Sequence, residues 1–127
     1  MAADRTYGVD VSHHNGVVNW PVVATQCRFA MAKATEGTGW KDPEFDRNYQ
    51  GIRDAGMIRG AYAFARPSKR AGGSESAIVK DAEGEADWYL EVVGTDRKRT
   101  LPAVLDLEWS KRSRGIQTEE LIEWALT

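Results

Sequence analysis

The sequence lacks the features of several protein classes. Its single cysteine, Cys27, cannot form an internal disulfide, which excludes a disulfide-stapled secreted scaffold. No apolar run approaches the ~18 residues of a membrane-spanning helix, and the first residues lack the basic and then apolar layout of a signal peptide. With 17 basic and 19 acidic side chains the net charge is −2, which argues against a nucleic-acid-binding protein. We therefore expect no membrane or nucleic-acid partner, and synthesis in the cytoplasm.

Strand-like and helix-like segments alternate along the 127 residues. Strands are predicted at residues 7–12, 29–34, 58–65 and 101–108, and a helical pattern follows each of them. Such alternation with short connections predicts parallel strands with helices packed outside them, in an open sheet or a barrel. A complete (β/α)₈ barrel needs at least roughly 200 residues. The sequence therefore predicts an α/β fold of about four βα units, half of a TIM-like barrel, as one domain over residues 1–127.

Local signals mark where the predicted helices begin, end and pack. Asp42 followed by Pro43 predicts the N-cap and first residue of the second helix, and Gly56 predicts its end. Trp124 is expected to pack the fourth helix onto the core. The apolar stripe predicted for the third helix consists of Ala82, Ala86, Tyr89 and Val93.

Acidic residues stand at the carboxyl ends of three predicted strands. Asp10 lies on the first strand and Glu36 follows the second. Asp106 and Glu108 lie two residues apart on the fourth strand, so their side chains project from the same face. α/β barrel enzymes place their active sites at this end. Two neighbouring carboxylates repel, which lets one keep a proton and act as an acid, as breaking a glycosidic bond requires.

The acidic residues also fit two other interpretations. Carboxylates at strand ends often do no more than cap the following helix. Asp10, Asp106, Glu108 and a histidine could instead hold a hard metal ion, and the residue types alone leave this open. We expect His13 and His14 to form a turn, because adjacent histidines at a strand end point in opposite directions and do not easily bind one ion.

Six segments occur in an order typical of one family. They are residues 8–16 (GVDVSHHNG) with Trp20, residues 33–37 (KATEG), the D-x-x-F-x-x-N run of residues 42–48, residues 55–56 (AG), residues 60–64 (GAYAF) and residues 104–108 (VLDLE). Together they resemble glycoside hydrolase family 25, the muramidase-type lysozymes. Two departures are the Ala63 position, where the family commonly has histidine, and the length, since the family's barrel continues through four more strands. By strand parity Ala63 faces away from Tyr62 and Phe64.

The resemblance implies a cofactor-free peptidoglycan hydrolase that cuts the β-1,4 bond between N-acetylmuramic acid and N-acetylglucosamine. On the family's pattern Glu108 is the general acid. Asp106 is the partner that orients the substrate's acetamido group or stabilises charge at the anomeric centre. Asp10 is similar to the family's third acidic residue, and Glu36 lines the same groove. Retention or inversion at the anomeric carbon stays open, because side-chain rotamers change the separation of the two carboxyl groups.

Three aromatic residues are candidates for binding the substrate. Tyr62 and Phe64 are expected on the inner face of the third strand, with Tyr62 near its mouth. Trp109 follows the candidate acid and is interpreted as a sugar-stacking platform, as an apolar wall beside Glu108, or as a core aromatic.

The resemblance further suggests a phage-type endolysin, released to the bacterial wall by a holin or by lysis. Half of a barrel exposes the edges and inner faces of its strands, so we expect a homodimer or a second chain that carries the other half. The alternative function is a non-catalytic half-domain that binds cell-wall glycan or assembles with a partner chain.

Overall fold

The computed structural model describes residues 4–69, 75–108 and 115–127, without the side chains of Glu75 and Ser76. Within these ranges one sheet contains strands β1 (Gly8–Val11), β2 (Phe29–Glu36), β3 (Trp40–Lys41), β4 (Ile58–Phe64) and β5 (Val104–Asp106). The helices are α1 (Trp20–Val23), α2 (Phe45–Asp54), α3 (Glu75–Val93) and α4 (Thr118–Leu126), with a 3₁₀ turn at His13–Asn15. No helix in the described parts of the chain is long and apolar enough to cross a membrane.

Four strands run parallel in the order β1-β2-β4-β5, and β3 pairs antiparallel with the end of β2. The predicted α/β fold with a parallel sheet and four helices is thus confirmed. Strand β5 is shorter than predicted at both ends, and at its carboxyl end the pairing with β4 stops at Phe64↔Asp106, where β4 itself ends. The two-residue strand β3 was not predicted, since so short a segment carries no alternation to detect.

The helices pack on the face of the sheet that carries its small residues. Ala61 and Ala63 of β4 and Ala65 just after it are buried, whereas Tyr62 and Phe64 are half-buried on the opposite face. Ala63 belongs to a core cluster with Tyr89 of α3 and Ile52 of α2, so the inferred outward direction of Ala63 is correct. The small alanine side chains let the helices approach this face closely. The opposite face of the sheet carries larger and charged side chains.

Two details of the helices differ from the predictions. Asp42 is not the N-cap of α2, which begins at Phe45 with Glu44 in the cap position. Asp42 Oδ1 instead accepts a hydrogen bond of 2.8 Å from the Glu44 backbone N–H in a turn before the helix. Ala86 is exposed rather than packed, because α3 faces an open cleft toward β5 and α4 at this position.

Other helix signals were correct. Gly56 has φ +78°, a conformation that favours glycine, and follows the end of α2. Trp124 is buried, and its Nε1–H donates to Asp81 Oδ2 of α3 at 2.9 Å. This bond and the packing around Ile78 attach α4 to α3.

Candidate active site

The predicted acidic residues lie toward the carboxyl end of the parallel sheet. Asp10 is on β1, one residue before the end of that strand. Asp106 is the last residue of β5 and is half-buried, and Glu108 lies two residues beyond it. Asp10 and Glu108 are both exposed. Strands β2 and β4 separate β1 from β5, so a side chain on β4 can lie between the acidic groups.

Tyr62 of β4 occupies this central position. Burial, and after it the negative charges of nearby acidic groups, raise the pKa of its hydroxyl to about 12. Those groups are, in order of effect, Asp10, Asp106, Asp42 and Glu108. The hydroxyl therefore stays protonated at neutral pH and can donate a hydrogen bond within a group of carboxylates.

Glu36 is held by two cations. Its Oε2 lies 2.8 Å from Lys33 Nζ and its Oε1 lies 2.6 Å from Arg66 Nε. Burial alone would raise the pKa of this carboxyl, but Lys33 and then Arg66 outweigh burial and lower it. Glu36 is therefore suited to accept hydrogen bonds and fix charge, and is unsuited to donate a proton.

An irregularity in β2 places Lys33 and Glu36 together. Residues three apart in a regular strand point to opposite faces, but the pairing of β2 with β4 shifts between Lys33 and Thr35. The extra residue turns Glu36 back to the face of Lys33. The KATEG segment therefore produces a buried ion pair on the inner face.

Trp40, which the sequence analysis did not single out, joins the same face. Lys33 Nζ lies 5.0 Å from the centroid of the Trp40 ring and 5.0 Å from that of Phe64. Both distances are within the range of cation–π attraction. The antiparallel pairing Glu36↔Trp40 explains the position of Trp40, and it depends on β3, which sequence periodicity did not detect.

His13 and Asp42 form a second contact that was not predicted. Asp42 is fully buried, and its Oδ2 accepts the His13 backbone N–H at 3.0 Å and lies 2.8 Å from His13 Nδ1. The expectation that His13 and His14 point in opposite directions is wrong, since their ring centroids are 4.0 Å apart. The two residues lie in a 3₁₀ turn rather than in extended strand, so strand parity does not apply.

Two carboxylates of α3 hold the segment that follows β4. Both oxygens of Glu85 accept the Arg66 backbone N–H, at 3.0 and 3.1 Å. Burial raises the pKa of Glu85 to about 7, although that hydrogen bond lowers it. Asp81 Oδ2 accepts the Ser68 backbone N–H at 2.9 Å, and burial raises its pKa as well. These contacts position Arg66 beside Glu36.

Trp109, a candidate for sugar binding, lies outside the described residues. Across residues 4–69, 75–108 and 115–127, no three histidine, cysteine, aspartate or glutamate side chains are grouped so as to hold a metal ion.

A parallel α/β sheet with acidic residues at and just beyond the carboxyl ends of its strands is an arrangement found in glycoside hydrolases. The family model described as Glycosyl hydrolases family 25 matches residues 9–127. The chain belongs to this family, whose named relatives are lysozymes and muramidases.

Individual relatives agree with the family and extend beyond this chain. Lysozyme M1 of Streptomyces globisporus is 39% identical over 121 residues, covering 92% of this chain and 38% of that protein. The N,O-diacetylmuramidase of Chalaropsis sp is 32% identical over 127 residues, covering 92% of this chain and 55% of that protein. The solved muramidase of Trichobolus zukalii has 35% identity and a TM-score of 0.76, covering 96% of this chain and 56% of that chain. The chain thus spans 38% and 55% of the length of these two curated relatives.

Proposed function

We propose that this chain carries catalytic carboxylates of a peptidoglycan N-acetylmuramidase, which cuts the β-1,4 bond between N-acetylmuramic acid and N-acetylglucosamine. The observation that supports it most is that Asp10, Asp106 and Glu108 lie toward the carboxyl end of one parallel sheet, where the charge of each raises the pKa of Tyr62. Two carboxylates with distinct roles are what glycoside hydrolysis requires. The lysozyme and muramidase names of the relatives favour peptidoglycan as the substrate.

The proposed mechanism assigns one role to each group. Glu108 donates its proton to the leaving glycosidic oxygen, which makes the departing sugar a better leaving group. Asp106 orients the acetamido group or stabilises positive charge at the anomeric carbon. Asp10 adds negative charge near the same centre, and the protonated Tyr62 hydroxyl donates to an oxygen of the substrate or of a carboxylate. Glu36 and Phe64 belong to the wall of the groove.

The bond that is cut can be identified from the new chain ends. Peptidoglycan digested by the protein is reduced with borohydride and hydrolysed, and the reduced sugars are separated. A muramidase produces the reduced form of N-acetylmuramic acid. Reduced N-acetylglucosamine as the product would contradict the proposed bond, although not the glycosidase class.

We also propose that the sheet is half of a barrel, completed by a second half in the same or another chain. Strands β1 and β5 are its edges within the described residues, and large apolar side chains near β5 are exposed. Val104 is 46% exposed and Leu105 45% exposed. Open edges and apolar surface favour association. Light scattering of this chain alone should therefore show a dimer, and a well-folded monomer at high concentration would contradict self-association.

The alternative function is glycan binding without turnover. The exposure of Asp10 and Glu108 favours it, because charge effects on a transition state are weaker in water than in an enclosed site. This function predicts glycan binding that survives Glu108→Gln, with no reducing ends released by either protein. Origin from a phage and release to the wall by a holin or by lysis stay predictions.

A further inference from the structure

Four side chains stand in one row across the carboxyl end of the sheet. The strand pairings place Trp40 opposite Glu36, Glu36 opposite Phe64, and Phe64 opposite Asp106. Directly paired residues project from the same face of a sheet. The shared contacts of Lys33 Nζ with Trp40, Glu36 and Phe64 agree with this placement. The row therefore forms a continuous surface that leads from Asp106 to an aromatic ring.

The Trp40 ring is both exposed and supported. It is 38% exposed, so a face of the indole is open to a ligand. The edge of the His13 ring contacts it with centroids 5.2 Å apart, and His13 is itself bound to buried Asp42. The Trp40 carbonyl accepts the Trp88 Nε1–H at 3.0 Å. The backbone bond positions residue 40 and the His13 contact supports its indole before any ligand arrives, which reduces the ordering cost of binding.

From these observations we propose that Trp40 is an aromatic platform that stacks on a sugar ring of a β-1,4-linked N-acetylated glycan strand, remote from the bond that is cut. This proposal rests on the proposed function and adds a subsite to it. Sugars present an apolar C–H face, which packs on an aromatic ring, and hydroxyl and acetamido groups at their edges. The Lys33–Glu36 pair beside the ring offers charged partners for those edge groups.

The row also fixes how long the ligand must be. Neighbouring strands lie about 4.8 Å apart, so three strand spacings separate Trp40 from Asp106 by about 14 Å. One sugar ring does not span this distance. A glycan that touches both must therefore contain several sugars, and the platform should favour long oligosaccharides over short ones.

The test measures glycan affinity by calorimetry in the full chain carrying Glu108→Gln, which prevents turnover. The probes are the disaccharide and hexasaccharide of β-1,4-linked N-acetylglucosamine. We expect the hexasaccharide to bind more tightly than the disaccharide, and Trp40→Ala to weaken hexasaccharide binding about tenfold. Trp40→Phe should retain most of the affinity, because it keeps an aromatic ring. Tyr7→Ala is the matched control. Tyr7 is also exposed, but it directly precedes β1 and so lies at the amino end of the sheet, away from the candidate site.

Several outcomes would overturn the platform. These are equal hexasaccharide affinity with and without Trp40→Ala, no preference for the longer glycan, or no glycan binding at all. Stacking would likewise be contradicted if Trp40→Phe lowered hexasaccharide affinity as much as Trp40→Ala does. It would also be contradicted if the control Tyr7→Ala lowered that affinity equally. The proposed function is judged separately by the reducing ends that the protein releases: cleavage without any role of Trp40 leaves that function intact, and glycan binding without cleavage leaves the platform intact.

Discussion

At the scale of single residues, the Tyr62 hydroxyl is the group that the carboxylates share. Because its pKa is raised to about 12, it is a neutral donor over the whole range in which the carboxylates titrate. Tyr62→Phe keeps the ring and removes only that donor. We expect glycan cleavage to fall roughly 10²-fold, as when one positioned donor is lost from an active site. Initial rates of reducing-end release measure this, and an unchanged rate would exclude a role for the hydroxyl.

Glu85 predicts a pH dependence of stability. Its pKa is about 7 in the folded chain against an ordinary value of 4.5, so between these values the folded state keeps a proton that the unfolded state has released. The free energy of unfolding therefore decreases as pH rises through this window, by an amount on the order of 2 kcal/mol. Glu85→Gln should abolish this decrease, because the amide does not titrate.

Urea unfolding of the wild-type chain and of Glu85→Gln at pH 5 and pH 8 tests this prediction. Other groups titrate in the same range, so the informative quantity is the change in the difference between the two proteins. The variant should gain stability relative to the wild type on going to the higher pH. A constant difference would contradict a raised pKa for Glu85.

The positions of the candidate acidic residues on the strands were easier to predict than the contacts that surround them. Asp10, Asp106 and Glu108 follow from their positions on strands, because side-chain direction and strand end are local properties. The contact between His13 and Asp42 joins residues 29 apart, and no local pattern encodes it. The contact of Glu85 with the Arg66 backbone depends in the same way on how α3 packs on the sheet.

At the scale of elements, α2 depends on a close approach to Trp20. A Cβ added at Gly51 of α2 would lie 2.2 Å from Trp20 Cδ1, and Trp20 is buried. Alanine normally favours a helix over glycine by about 1 kcal/mol, but here the clash opposes that gain. We expect Gly51→Ala to lower the free energy of unfolding by about 1–3 kcal/mol.

Chemical denaturation measures this effect, with Gly84→Ala as the matched control. Gly84 is also within a helix, and a Cβ there would meet only Thr38 Cγ2, at 3.3 Å. The control should therefore change stability less than Gly51→Ala does. Equal effects at the two positions would show that helix propensity, and not contact with Trp20, decides the result.

Element prediction succeeded where periodicity or an end signal was strong. Strand β4 and the end of α2 at Gly56 were close to the structure, since alternation and glycine are local signals. Strand β5 was predicted too long at both ends, and its carboxyl end is set by the end of its neighbour β4. Strand β3 was not predicted because it is defined only by its pairing with β2. The position of Trp40 beside Glu36 was therefore not predicted either.

At the scale of the whole molecule, one face of the sheet is packed by helices and the other carries the charged and aromatic groups. Alternation of strands and helices was enough to predict the parallel sheet. The proposed completion of a barrel would require further chain to pair with β1 and β5, and no pattern within these 127 residues specifies such chain. The chain spans 38% and 55% of the length of two of its relatives.

The central claim is that Glu108 acts as the acid that breaks the glycan. The most direct test is release of reducing ends from purified peptidoglycan. It is measured with this chain alone, and with this chain mixed with the part of the Streptomyces globisporus lysozyme that lies beyond the match. We expect release in at least one condition, lowered about 10²-fold or more by Glu108→Gln. The control substitution Glu123→Gln, at an exposed position of α4, should leave release unchanged. Release that persists in Glu108→Gln, or no release in either condition, would contradict the account.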